Sequence, residues 1–60
     1  MIDVRVVYSN NNRNFQILRA YDGFVLYKSG KFKNFNNAEL GLEIKLREHD
    51  NWKVMGVIHR

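Results

Sequence analysis

The sequence predicts an α+β fold: a small antiparallel sheet of three to four strands, one helix and a closing strand, with the helix packed on one sheet face. Three observations carry this. Residues 2–8 alternate apolar and polar, residues 36–49 are rich in strong helix formers, and residues 52–59 return to β-branched and aromatic character. The alternative is an all-β small barrel with residues 40–47 and 52–59 as its last hairpin, because Ala38, Leu40, Leu42, Ile44 and Leu46 also alternate with polar residues.

Taken in order, Ile2, Val4, Val6 and Tyr8 fall on one side of a first strand, with Asp3 and Arg5 on the other. The polar run from Asn10 to Asn14 suits a hairpin loop. Phe15 to Tyr21 reads as a second strand, Asp22-Gly23 as a turn, and Phe24 to Lys28 as a third strand. Ser29-Gly30 is a two-residue turn signal, and Lys31 to Phe35 would fold back as a fourth strand. In a helix over residues 36–49, Asn36 serves as N-cap with Glu39 three residues on, close to a capping box. Glu39, Glu43 and Arg47 then form one polar stripe, and Gly41 marks a close-packing point. His49 falls at the helix C-terminus and Trp52 anchors the closing strand against the helix near Leu46. Gly56 suggests a bulge or a close backbone approach, and His59 a frayed end.

Composition sets the outer limits. Sixty residues make a single small domain, burying only about 60% of the surface of the unfolded chain. Ten Lys/Arg against six Asp/Glu give a net charge of +4. The absence of cysteine excludes a disulfide framework, the usual structural zinc sites and a thiol nucleophile. No apolar run approaches the 18 or so residues of a membrane span, and Met1 to Val4 has no signal-peptide character, so an intracellular, cytoplasmic location is expected. The two histidines have no clear third ligand, Ser9 and Ser29 lie in expected turns, and the four glycines are isolated. Neither a metal nor a cofactor is expected, and the chain reads as non-enzymatic.

The expected hairpin around Ser29-Gly30 carries the sharpest functional suggestion. A two-residue turn places Lys28 opposite Lys31, Tyr27 opposite Phe32 and Leu26 opposite Lys33. Lys28, Lys31 and Lys33 would share one face near the tip, an anion-contacting finger with Tyr27 or Phe32 free to stack on a base. Arg13 and Arg19, with Arg5, could extend that surface. Against this, lysines also guard exposed strand edges from aggregation, with Tyr27 and Phe32 in the core. Residues 30–39 are faintly similar to the sheet-to-helix junction of AP2-like arm-binding domains, which read DNA with a three-stranded sheet; the strand expected after the helix departs from that pattern, and no family is assigned.

Two functions follow as expectations. The first is a small basic accessory protein binding nucleic acid through the lysine-rich hairpin. The alternative is a protein-binding module or small inhibitor of a larger host protein, of the kind phages and mobile elements encode, steered to an acidic surface. A homodimer is compatible with both, because a small core gains from burying a second surface and an unpaired edge strand offers one.

Overall fold

Strand alternation near the N-terminus decides where the core forms. In β1 (Ile2–Ser9), Val4, Val6 and Tyr8 are buried on one face while Asp3 and Arg5 are exposed on the other. The computed structural model describes residues 1–11 and 13–60. The expected loop from Asn10 to Asn14 includes Asn12, which lies outside the described residues; Asn14 itself is buried and opens β2 (Asn14–Arg19). β2 runs antiparallel to β1, with Tyr8 opposite Phe15 and Val6 opposite Ile17.

The turn at Asp22-Gly23 forms as its chemistry requires. Gly23 adopts φ 76°, where a side chain would be strained, and its amide donates to the Arg19 carbonyl at 2.7 Å. The Asp22 carboxylate accepts the Phe24 amide at 3.1 Å, and β3 (Val25–Lys28) then pairs antiparallel with β2.

The helix α1 (Phe35–Glu48) buries Ala38 and Leu42 against Val4, Val6, Tyr8, Phe15 and Ile17. It carries the chain back across the sheet, so that β4 (Trp52–His59) enters in the same direction as β1 and pairs with it in parallel. The result is one helix on a four-stranded mixed sheet of order β3-β2-β1-β4. The small α+β fold is therefore borne out, the barrel is not formed, and the closing strand makes the sheet mixed. Trp52 packs on the core as expected and stacks on His49, the C-cap residue, with centroids 4.0 Å apart. The irregularity expected near Gly56 is a bulge: Val4 pairs with Val54 and Arg5 with Gly56, leaving Met55 without a counterpart.

Four expectations are corrected. Lys31 to Phe35 does not form a strand, and the Ser29-Gly30 hairpin is absent. Instead the Phe32 amide donates to the Arg13 carbonyl at 2.8 Å, and the Phe32 ring stacks on Phe15 at 5.7 Å with planes 11° apart. Covering Phe15 with a second ring, worth roughly 1.5–3 kcal/mol of burial, outweighs a short ladder at the sheet edge. Gly41 is where the helix meets that ring: a Cβ there would lie 2.7 Å from Phe32 Cζ. Second, the N-cap is Asn34, whose side-chain oxygen accepts the Asn37 amide at 2.9 Å, rather than Asn36. Third, His59 is no frayed end but stacks on Tyr8 at 5.2 Å within β4. Fourth, the strand offered as the alternative over residues 40–47 is part of the helix, and Leu40 and Ile44 point outward, 58% and 57% exposed, because a helical turn of 3.6 residues cannot bury an alternating pattern on one side.

Candidate nucleic-acid interface

Loss of the hairpin changes how the basic residues are assembled. Lys28 ends β3 opposite Gln16 and is exposed, on the sheet face turned away from the helix. Lys31 and Lys33 flank Phe32 in the connecting strap of residues 29–34, both exposed and neither in a ladder. The hydrogen bond from the Phe32 amide to the Arg13 carbonyl ties that strap to the β1–β2 loop, where Arg13 adopts φ 50°. The strap is fixed at its start too. The Ser29 amide donates to the Phe15 carbonyl at 2.9 Å, and the buried Ser29 Oγ accepts the Phe15 amide at 2.9 Å.

The C-terminus joins the same end of the sheet. The Arg60 amide donates to the Tyr8 carbonyl and the Arg60 carbonyl accepts the Asn10 amide, each at 2.8 Å. Lys28 and Arg60 line one shallow cleft with Ser9, Asn14 and Gln16. Arg13 lines a second hollow of about 180 Å³ with Asn10, Asn34 and Phe35, beside the N-terminus of α1. One end of the molecule thus gathers Arg13, Lys28, Lys31, Lys33 and Arg60, and the stretches that build it (9–14, 28–38 and 59–60) contain no Asp or Glu. These cations add to one another and to the partial positive charge of the helix N-terminus, while Glu39, the residue after Ala38, borders Phe35 and His59 beside them.

The other two singled-out residues sit elsewhere. Arg19 ends β2 at the opposite end, gripped through Nε (2.9 Å) and NH2 by the two oxygens of Asp22, with Tyr21 and Phe24 each 5.0 Å from its guanidinium carbon. That hydrogen-bonded pairing holds the Asp22 carboxyl down at about 2. Arg19 and Arg5 border a common hollow of about 610 Å³, but Asp3 borders it too. Tyr27 faces the helix, packed at 5.8 Å from Phe15 with the Lys45 ammonium 4.3 Å above its ring, so it offers no free face to a base. Phe35 is an exposed aromatic residue at the basic end, 48% exposed beside Arg13 although its ring also packs on Tyr8 and His59.

Sequence reasoning missed Arg60 and Phe35. A terminal arginine carries no pattern, and only the pairing of residue 60 beside Tyr8 brings it in; the acid-free run from Lys28 to Ala38 was the legible signal for the rest.

Two carboxylates stand on the β4 side of the helix, next to Phe35 and His59. Glu39 and Glu43 border a groove of about 400 Å³ between α1 and β4, floored by Tyr8, Leu42 and Val57. Burial first, then these two carboxylates, push the Tyr8 hydroxyl above its ordinary value. The ion pair on the helix is Lys45–Glu48 at 3.1 Å. Among the described residues no group of three or more His, Cys, Asp or Glu is placed to hold a metal ion, and no helix is long and apolar enough to cross a membrane. Comparison with known proteins finds no matching family model, no matching curated protein and no matching solved structure.

Proposed function

We propose that this chain is a small non-enzymatic accessory protein, cytoplasmic, that binds nucleic acid through the basic end of its sheet. One observation carries the reading: five cations from the loop, the strap, β3 and the C-terminus lie at one end of the sheet, in segments that contain no Asp or Glu. Phosphates would lie along Lys28, Lys31, Lys33, Arg13 and Arg60. The side-chain NH2 groups of Asn10 and Asn34 would donate hydrogen bonds to those phosphates, and the exposed side of Phe35 gives a base a face to stack on.

Fluorescence anisotropy with labelled single- and double-stranded DNA and RNA, titrated at about 50 and 200 mM salt, tests the reading. The expected result is a micromolar affinity that falls steeply with salt. Changing Lys28, Lys31 and Lys33 together to Gln should weaken it at least about tenfold and flatten the logarithmic salt slope by roughly 2 to 3, at 0.7–0.9 per lost phosphate contact. Unchanged affinity and slope would remove the proposal. A second reading, docking on a protein, has its own support in the bare apolar edge of β4. It calls for capture of a protein partner that survives high salt, with no nucleic-acid binding at either salt concentration.

A further inference from the structure

The outer edge of β4 is an exposed apolar surface at the end of the sheet order. The strand is eight residues long, lies at the edge of the sheet and exposes apolar residues on both faces: Val54 (38%) and Val57 (48%), Met55 (54%) and Ile58 (39%). A bare edge of this kind is a template for another strand. We propose that it pairs antiparallel with β4 of a second copy, about a two-fold axis between Met55 and Gly56, to give a continuous eight-stranded sheet.

The bulge selects the partner and the register. Pairing with β1 puts Trp52, Val54, Val57 and His59 on the helix face, opposite Ile2, Val4, Val6 and Tyr8. Lys53, Gly56 and Ile58 pair with Asp3, Arg5 and Val7 on the other face, and Met55 borders a hollow with Asp3 and Arg5. Read outward from the point between Met55 and Gly56, this pattern of faces is the same in both directions. Residues directly opposite in an antiparallel pair must share a face. In the symmetric register Val54 meets Val57 of the second copy, Lys53 meets Ile58, Trp52 meets His59 and Met55 meets Gly56, and every pair agrees. A shift of one residue in the pairing sets helix-face residues against open-face residues. Centring on Lys53 instead would oppose two like charges and use only half the strand.

Charge favours the same arrangement. Antiparallel pairing brings Arg60 of each copy opposite Asn51 of the other, beside Asp50 in the turn that follows α1. The two basic ends are thereby kept at opposite ends of the joined sheet. An interface built on eight residues from each copy belongs to the small class, below about 1,200 Å², so the dimer is a reversible one in the micromolar range or weaker. This inference does not rest on nucleic-acid binding.

Sedimentation velocity from about 10 μM to 1 mM should show the mass rising from 7.2 kDa toward twice that value. Val57→Lys should hold it at the monomer throughout, with its circular dichroism unchanged. The chain has no cysteine of its own, so register can be read separately. Val54→Cys mixed with Val57→Cys and oxidised should give a covalent dimer at least tenfold more abundant than either variant alone. A monomer mass at every concentration, or equal cross-linking in all three samples, would overturn the proposal.

Discussion

The two edges of the sheet are built on opposite principles. β3 is four residues long, ends in Lys28 and passes directly into a strap that carries two further lysines. That strap is locked inward by Phe32 on Phe15 and by Ser29 on the Phe15 backbone. β4 is twice as long, has one lysine, and shows apolar side chains to solvent on both faces. A short edge with charge and a tied-down exit resists pairing with other chains, and a long apolar edge invites it. The lysines that resemble a binding finger in the sequence therefore guard an edge, and the phosphate contact proposed for them does not conflict with that role. The strap keeps their ammonium groups in water, where they repel a strand and attract a phosphate alike.

This contrast can be broken from either side. The largest effect is expected at the closed edge. Phe15→Ala removes the ring on which Phe32, Tyr27 and Tyr8 all pack, and should cost about 3–5 kcal/mol, enough to unfold much of a domain this small in a urea titration. Gly41→Val drives a side chain into Phe32 and should cost roughly 1–3 kcal/mol by the same measurement, although valine is the better helix former. Ser29→Ala leaves the buried Phe15 amide without its acceptor and should cost about 1–3 kcal/mol, with faster hydrogen exchange at residues 15 and 29.

At the open edge the same kind of change should do little. Val57→Thr, on a side chain 48% exposed, should stay within about 0.5 kcal/mol of the parent. A loss comparable to that of Ser29→Ala would show that this edge is closed after all.

The smallest effect belongs to Arg19 and Asp22 at the β2–β3 turn. The Asp22 carboxyl is depressed to about 2 from an ordinary 3.8, so the stability it lends the turn is complete above 3.8 and is lost as pH falls through 2. Both side chains face solvent, which screens the pair. A titration of the Asp22 carboxyl by NMR should give a midpoint near 2 in the parent and a higher one in Arg19→Gln, still below the ordinary value because the Phe24 amide continues to donate to the carboxylate.

Much of the architecture was legible because it depends on local periodicity. Alternation placed β1, with Val4, Val6 and Tyr8 inward, and β4 begins and ends at the expected residues. Helix formers placed α1 to within a residue at each end. Legibility failed at residues 29–36, where the Ser29-Gly30 turn signal and two aromatic residues are compatible with both a hairpin and a strap. Local propensity cannot rank those, because the deciding contact joins Phe32 to Phe15, seventeen positions earlier in the chain. The basic residues were legible as residues and not as a site. Lys28 is carried to the end that holds Arg13 by its pairing with Gln16, and Lys31 and Lys33 by the hydrogen bond from Phe32 to Arg13, while Arg19 is carried to the opposite end by the direction of β2.

By itself, then, the sequence determined the element types, the inward face of β1 and the excess of positive charge, all properties of neighbours along the chain. The tertiary structure alone decided the parallel entry of β4, the strap in place of a hairpin, and which cations stand together. Each of these turns on burying one aromatic or apolar surface against another that is distant in sequence, and that gain outweighs the local preferences it overrides.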